Sequence, residues 1–332
     1  MPSDSSLKKQ SSSNANDGFS EYASSYHDPV MLREVLESLN IRSDGIYVDC
    51  TLGGGGYAEA MLERITRGKL YGFDTDPHAM EFAGKRLVKF GERFEIVPEN
   101  FSAIEKALND RSVDQIDGIV YDLGVSSNQL DTESIGLSYR VEARLDMRLD
   151  PRLKVSAYEV VNEYSDEELK RIFKWYGEEP YSGPISRKIT AARKAKPIET
   201  TTELASIVTE GVREDKKAST LSRIFQALRI EVNQELESLK QSLEQAVRLL
   251  KPGGRIVVVS YHSLEDRIVK EFFREQSEPK VEPGTLRSLK ESIDLEKATL
   301  ELLERKPIMP SEEETSLNPR ARSAKLRAAR RR

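Results

Sequence analysis

Few residues in this sequence are of the kinds that form disulfides or bind metals. Its 332 residues include a single cysteine, Cys50, and three histidines. One cysteine excludes an internal disulfide, and so small a set does not readily supply the ligands of a zinc site, so we expect no metal. Cys50 follows a short apolar run, which favours a small core residue over a nucleophile.

Long hydrophobic runs are also lacking. No segment approaches the roughly 18–20 apolar residues that a membrane span needs, and no segment resembles a secretory signal. Hydrophobic residues make up 38% of the chain and charged residues 32%. We therefore expect a polar globular protein of the cytoplasm that has no membrane partner. Residues 1–25 are rich in Ser, Asn and Lys and are expected to be a disordered tail.

The charge balance does not indicate a nucleic-acid partner by itself. The formal net charge is -5, whereas nucleic-acid-binding domains are usually basic. The distribution is more informative, because Arg320–Arg332 holds seven Arg or Lys residues and no acid. This basic tail, together with Arg144 and Arg148, could bind phosphates. The alternative for each of these cations is a surface salt bridge.

The segment Gly45–Asp74 has the pattern of a nucleotide-binding βαβ half-unit. A short apolar strand leads into the glycine loop Gly53–Gly56, a helix follows, and a second strand ends at Asp74. Glycines allow a ligand to approach the backbone, and an acid about 20 residues further on can reach a ribose hydroxyl. A glycine-rich turn without a ligand is the alternative. The loop also fits G-x-G-x-x-A, so an NAD-dependent oxidoreductase remains open.

Strands and helices alternate along much of the chain, which predicts an α/β fold with a doubly wound, mostly parallel sheet. The predicted strands are Ile46–Cys50, Lys69–Phe73, Phe94–Val97, Asp117–Asp122, Arg255–Ser260 and a final Ser323–Ala328. Residues 151–232 have helical patterns and predict an inserted all-helical domain between 26–150 and 233–332, which form the sheet domain. Predicted helices in and after the insertion are Ser165–Tyr176, Ile185–Ala195, Thr202–Val212 and Leu221–Leu250.

Several side chains follow the predicted strands and are candidates for an adenosyl-ligand site. Asp74 would hold the ribose, and Phe101 would stack on the adenine unless it is only a core residue of its helix. Asp122 would face the far end of the ligand, or it caps the next turn. His262 could be an acid/base group, but we favour a hydrogen bond to its own turn.

Longer motifs make the sequence resemble one family, the small-subunit ribosomal RNA cytosine-N4 methyltransferases, over about residues 27–327. These motifs are Asp122–Ser127, Gln129–Asp131, Leu145–Arg148, Tyr176–Glu179, Phe225–Ile230, His262–Lys270 and Asn318–Arg327. Several are six residues or longer and stand in the right order, so the resemblance is far more specific than the glycine loop.

The resemblance implies a Rossmann-like methyltransferase with S-adenosylmethionine as cofactor. The expected substrate is a decoding-site cytosine of 16S rRNA in the small subunit, methylated at N4. By motif position, the implied cofactor contacts are Gly55, Gly56, Tyr57, Asp74, Phe101, Asp122 and Gln129. Asp122 and Ser126 are our catalytic candidates, since an acceptor near the base amine could assist methyl transfer. The oligomeric state is left open, with a homodimer as one option.

The chain departs from the family pattern at several positions. Tyr57 stands where the family has histidine, and Arg144 stands where it has proline. Ahead of Phe225, the family's His-Pro-Ala is replaced by Lys217-Ala218 with shifted spacing. Backbone contacts at position 57 survive a change of side chain. These departures keep a further alternative open, in which the protein is a non-catalytic rRNA-binding assembly factor.

Overall fold

The computed structural model describes residues 29–125, 129, 135–278 and 298–332. Within these residues, the strands β1 to β7 are Ile46–Asp49, Lys69–Phe73, Phe94–Val97, Ile116–Asp122, Leu250–Ser260, Leu300–Leu302 and Lys325–Arg331. The α-helices α1 to α12 are Leu32–Leu39, Gly56–Arg64, Pro77–Leu87, Ile104–Asn109, Ala157–Glu163, Asp166–Trp175, Ser182–Ala192, Thr201–Thr209, Glu214–Asn233, Glu235–Leu249, Ser263–Ser277 and Glu312–Leu317. None of the described helices has the length and apolar character to cross a membrane. The predictions for residues 1–25 and for Ser126 lie outside the described residues.

The seven described strands form one sheet in the order β3-β2-β1-β4-β5-β7-β6. Strands β1 to β5 pair in parallel, and β7 runs antiparallel between β5 and β6. The chain winds outward from β1 to β3 and then returns to β4 on the other side of β1. Ligands of such sheets bind beyond the carboxyl ends of the strands at this reversal. The predicted doubly wound, mostly parallel sheet is therefore confirmed.

Helices cover both faces of the sheet, and this explains why its strands are apolar on both sides. Successive strand residues point to opposite faces, so Tyr47 and Val257 pack with α1, α2 and α3. Their neighbours Val48 and Val258 pack with α4, α10 and α11. The two clusters fix the strand ends between two layers of helices.

Helices α5 to α9 enclose a third hydrophobic cluster, which includes Phe173, Ile189 and Leu228. Three of these helices begin with a capping box, in which a Ser or Thr and a Glu three residues later satisfy the first backbone N–H groups. Leu145 and Met147 also belong to this cluster. The division into a sheet domain and a helical insertion over residues 151–232 remains our proposal, and the segment just before residue 151 packs with the insertion.

Two predicted helices have different bounds in the structure. The single helix expected over Leu221–Leu250 is two helices, because Gln234 adopts a left-handed backbone conformation with a φ of 51° and turns the chain between α9 and α10. The sequence also predicts a helix from Pro29, since proline suits a first helical position, but α1 begins at Leu32. Met31 has a φ of 54°, and its amide donates to the carboxylate of Glu314 instead of entering the helix.

Candidate functional site

A cavity of about 660 Å³ lies at the carboxyl ends of the central strands, in the size range of small-molecule sites. One wall is the glycine loop after β1, and the opposite wall is formed by α9 and the start of α10. Pro29 and Val30 line the cavity, as do Arg320 and Ser323. The site therefore combines residues from the start, the middle and the end of the described chain.

The glycine loop presents the start of α2 to this cavity. Gly53 and Gly55 have φ values of 48° and 76°, a region that glycine adopts without strain. Helix α2 begins at Gly56, so the amides of Gly56 and Tyr57 lie in a first turn that provides no partner within the helix. These two residues line the cavity.

Gly55 is placed differently from the other predicted cofactor contacts. Its amide donates to the carbonyl of Leu52 at 2.8 Å, and a Cβ atom added to it would lie 3.2 Å from the Leu87 side chain. It does not line the cavity. Gly55 therefore shapes the turn, and its direct contact with the cofactor stays a prediction.

Asp74 follows β2, and three backbone amides hold its carboxylate. The amide of Gly53 donates to Oδ2 at 2.8 Å, and those of Thr75 and Asp76 donate to Oδ1 at 2.8 and 2.9 Å. A carboxylate offers about four acceptor sites, so Oδ2 retains capacity for a hydroxyl donor from the cavity. Burial raises the pKa of Asp74 to about 6, although the backbone hydrogen bonds act in the opposite direction.

Asp122 ends β4 and is positioned by two neighbours. Its amide donates to Thr51 Oγ1 at 2.7 Å, and the Tyr261 hydroxyl donates to its Oδ1 at 2.6 Å. Burial, followed by the charge of Asp122, raises the pKa of Tyr261 well above its ordinary value, so this hydroxyl keeps its proton. The sequence analysis missed Tyr261. It follows β5 directly, just as Asp74 follows β2, and that position was the available signal.

A third strand-end acid, Asp49, lies between the other two. It ends β1, whose neighbours are β2 and β4, and it is fully buried. Its Oδ1 accepts the amide of Thr51 at 3.1 Å, whereas its Oδ2 has no hydrogen-bond partner among the described residues. Burial, with smaller contributions from Asp122 and Asp74, raises its pKa to about 7. The sequence analysis assigned it no role.

Phe101 and Gln129 also reach the cavity. The Phe101 ring contacts Tyr121 edge to face, with centroids 5.8 Å apart, so the same side chain serves both the core and the cavity wall. Gln129 is buried, and its Nε2 donates to Asp76 Oδ2 at 3.0 Å. The cavity thus brings together six of the predicted site residues, Gly56, Tyr57, Asp74, Phe101, Asp122 and Gln129.

The tyrosine at position 57 makes a packing contact of its own. Its side chain is buried, and its hydroxyl donates to the carbonyl of Val30. Since Val30 lines the cavity, Tyr57 fixes the segment that covers the glycine loop. This contact explains how the chain accommodates tyrosine in place of histidine.

The far wall of the cavity carries charged groups. Arg229 donates two hydrogen bonds to Glu235, at 2.8 and 3.0 Å. His262 Nδ1 accepts the Glu265 amide and caps α11, as the favoured interpretation of His262 expected. Potential ligand atoms of Glu235, His262 and Glu265 lie within 4.8 Å of one another. Because Arg229 already neutralises Glu235, we assign no metal to this group.

Four of the nine predicted phosphate-binding cations are paired with acids. Arg148 binds both carboxylate oxygens of Asp146, while Lys325 and Arg327 both bind Asp266. Arg330 pairs with Glu301 on the neighbouring strand. The structure therefore favours the salt-bridge alternative for Arg148 and for these parts of the tail.

Residues 24–332 match the profile of the MraW methylase family. The chain belongs to the MraW methylase family. The motif resemblance is therefore confirmed, and so is the Rossmann-like methyltransferase fold. The protein is an S-adenosylmethionine-dependent rRNA methyltransferase, as other MraW methylases are. The cavity fits this cofactor, since Asp74 offers an acceptor and α2 offers amides on one side of a partly apolar space. An NAD-dependent oxidoreductase is excluded by this assignment.

Solved structures with a related chain path include an rRNA methylase from Streptococcus thermophilus. It is 11% identical, with 90% of this chain and 93% of that chain covered and a TM-score of 0.40. A SAM-dependent O-methyltransferase from Thermotoga maritima is 10% identical, with 90% and 64% covered and a TM-score of 0.38. Similarity this low adds nothing to the assignment, which depends on the MraW family match.

Proposed function

We propose that this enzyme transfers a methyl group to N4 of the decoding-site cytosine of 16S rRNA in the small ribosomal subunit, in the cytoplasm. One observation carries the proposal: motifs far apart in the sequence converge on one cavity. Its lining includes Asp122, Gln129, Phe225, His262 and Arg320, each from a different motif that the chain shares with cytosine-N4 methyltransferases.

The cofactor contacts that we propose follow the order of the strands. The amides of Gly56 and Tyr57 and the carboxylate of Asp74 would hold the ribose side of S-adenosylmethionine, and Phe101 would cover the adenine. Asp122 and Gln129 would face the other end. S-adenosylmethionine supplies an electrophilic methyl group on a sulfonium, so the protein needs no covalent intermediate with the methyl group.

Asp122 is the residue that we propose to act on the cytosine amine. The lone pair of this amine is delocalised into the ring, and an acceptor for its N–H groups favours a nitrogen that can attack the methyl carbon. As the N–C bond forms and the S–C bond breaks, the amine loses a proton towards this acceptor. Tyr261 would act as a positioning residue by holding Asp122. Ser126 remains a second candidate acceptor.

Positioning is the main contribution that this site can make. Correct alignment of two reactants can supply up to about 7–11 kcal/mol of a barrier. The base must leave its stack to reach the cavity, as base-modifying enzymes require. We propose that the helical unit receives the extruded base, because Ser222, Phe225, Gln226 and Arg229 line the wall opposite the glycine loop.

The proposal is tested by methyl transfer to small ribosomal subunits from cells that lack the modification. The enzyme is incubated with these subunits and labelled S-adenosylmethionine, and the rRNA is digested to nucleosides. Label in N4-methylcytidine, absent with Asp122→Asn, is the expected result. Label in another nucleoside would contradict the target assignment. Absence of label with a protein that binds the cofactor would instead support the non-catalytic rRNA-binding alternative.

A further inference from the structure

An open groove lies on the helical unit, outside the cavity described above. We call it the Trp175 groove. It runs between α6, the turn after α6 and the start of α7. Its principal lining residues are Lys170, Lys174, Trp175, Pro180, Gly183 and Arg187. None of the motif-derived site predictions falls in this groove.

Large aromatic side chains are exposed in and beside the Trp175 groove. Trp175 lines the groove and is 61% exposed, and Tyr181, which lies between the lining residues Pro180 and Ser182, is 68% exposed. Trp175 is the only tryptophan in the chain. Soluble proteins usually cover much of so large an aromatic surface, and a solvated aromatic face is a common platform for an unstacked base.

The groove is also positively charged. Lys170 and Lys174 are four residues apart on α6 and so share one face of the helix, and Arg187 faces them from α7. These three cations form no ion pair within the described parts of the chain, in contrast to the tail cations. The Lys174 ammonium lies 5.1 Å from the centre of the Trp175 ring. Free cations beside an aromatic ring match the phosphates and bases of a nucleic-acid strand.

A short connection joins the Trp175 groove to the mouth of the cavity. Glu178, which lines the groove, accepts hydrogen bonds from Ser263 at 2.6 Å and from Arg267 at 3.0 Å. Ser263 adjoins His262, which lines the cavity. The groove and the cavity are therefore linked through the start of α11 and the turn after α6.

We propose that the Trp175 groove binds the single-stranded RNA that flanks the target base. Bases would stack on Trp175 and Tyr181, and phosphates would bind Lys170, Lys174 and Arg187. The inference rests on the proposed function for the RNA substrate. It adds the surface that holds this RNA and the way in which it is held.

The test compares two kinds of variant in a binding assay. Fluorescein-labelled oligouridylate of about 12 nucleotides is titrated with the full-length protein at several salt concentrations. Trp175→Ala is expected to weaken binding by about tenfold at each salt concentration, because stacking is not ionic, and Trp175→Phe retains most of the affinity. The triple variant Lys170→Ala, Lys174→Ala, Arg187→Ala is expected to reduce the slope of log affinity against log salt by about 2.

Matched controls lie on the sheet domain. Val88→Ala removes an apolar side chain from a residue that is 75% exposed, and the triple variant Arg33→Ala, Lys85→Ala, Lys106→Ala removes three cations that are 76–82% exposed. We expect both controls to bind oligouridylate as the wild type does. All variants should bind S-adenosylmethionine normally by calorimetry, which shows that they are folded.

Three results would overturn the inference. The groove variants could keep the RNA affinity and salt slope of the wild type, or the wild type could fail to bind oligouridylate. In the third result, sedimentation shows that Trp175→Ala turns a dimer into a monomer while RNA affinity is unchanged, which would assign the groove to a second copy of the chain. If N4-methylcytidine still forms in either case, the proposed function stands. If the groove binds RNA but another nucleoside is methylated, only the target assignment fails.

Discussion

At the scale of single residues, the site is a row of carboxylates at adjacent strand ends. Asp74, Asp49 and Asp122 end or follow β2, β1 and β4, which are neighbours in the sheet. Their spacing brings negative charges together, and burial raises the pKa of Asp49 and of Asp74. Backbone amides bond to the carboxylates of Asp49 and Asp74, and the Tyr261 hydroxyl bonds to that of Asp122. The negative charge of this row matches a positively charged ligand.

Asp74→Asn is expected to weaken S-adenosylmethionine binding by about tenfold at pH 8, because a hydrogen bond to a charged acceptor is replaced by a neutral one. The pKa of Asp74 is about 6, so the wild-type carboxylate becomes protonated as the pH falls below 6. Wild-type affinity should therefore approach that of the variant at pH 5.

Calorimetry at both pH values checks this expectation. Asp110→Asn, at an acid that is 60% exposed and paired with Lys106, serves as the control. Equal affinities of wild type and Asp74→Asn at pH 8 would remove Asp74 from the cofactor site.

Tyr261→Phe is expected to lower kcat for methyl transfer about tenfold while the KM for S-adenosylmethionine stays within about twofold. The variant removes the hydrogen bond that holds Asp122 but leaves the packing of the ring in place. Tyr164→Phe removes a comparable hydrogen bond to Glu231 in the helical unit and should leave kcat unchanged. Steady-state kinetics with small subunits measures both variants. An unchanged kcat in Tyr261→Phe would show that Asp122 needs no such support.

At the scale of elements, local patterns explain which parts could be predicted from sequence. The first four strands and the glycine loop are specified by apolar runs, turn glycines and terminal acids within a few residues, and the structure has them where the sequence predicts. Strand β6 has three residues and forms by pairing with β7. Three residues are too few to show a strand pattern in the sequence. The turn at Gln234 has neither glycine nor proline at its centre, and the helical pattern continues through it.

We expect the ion pairs between α11 and β7 to stabilise the fold. Asp266 on α11 binds Lys325 and Arg327, and Asp266 and Arg327 are each only 13% exposed. We expect Asp266→Ala to lower the free energy of unfolding by about 2–3 kcal/mol, because two cations lose their partner in a largely buried setting. Glu301 on β6 is the exposed partner of Arg330, which lies on β7 with Lys325 and Arg327. Glu301→Ala should lower the free energy of unfolding by less than about 1 kcal/mol.

Urea denaturation at several pH values tests this assignment. Burial opposes the ionised form of Asp266, but the hydrogen bonds and charges of Arg327 and Lys325 outweigh it, so its pKa is lowered. The stabilisation is therefore present above the ordinary pKa of an aspartate, about 3.9, and is lost as the pH falls through the lower native value. A difference between Asp266→Ala and wild type that persists at low pH would contradict this origin.

At the scale of the whole molecule, the cavity could not have been assembled from sequence by spacing alone. Its walls come from segments near residues 30, 53, 74, 122, 229, 261 and 320. The motif resemblance predicted which residues lie together in the cavity. The sheet order explains why the residues that follow neighbouring strands do so. Tyr261 and Asp49 were missed although each stands at the end of a strand, the position that marked Asp74 and Asp122. Gly55 was predicted as a contact from motif position, and sequence does not reveal that its amide bonds to Leu52 within the loop.

Ligand binding should couple the two walls of the cavity. S-adenosylhomocysteine at a hundredfold excess over its Kd adds about 2.7 kcal/mol to the free energy of any opening that destroys the site. We therefore expect hydrogen exchange to slow in α9 as well as in β1 and β4, because α9 lines the cavity.

Hydrogen-exchange mass spectrometry measures this effect, with Asp74→Asn at the same ligand concentration as the control. The variant should show a smaller change in all three elements. If hydrogen exchange slowed only in β1 and β4, the helical unit would open without disturbing the bound ligand. That result would contradict the coupling expected from a cavity that α9 also lines.

The position of β7 has a consequence for biosynthesis. This strand, Lys325–Arg331, inserts between β5 and β6, so β5 keeps an unpaired edge until residues beyond 320 have left the ribosomal exit tunnel. An uncovered apolar edge invites pairing with other chains. The nascent enzyme is thus vulnerable to aggregation until β7 is in place, and a chain truncated before Lys325 would have an open sheet.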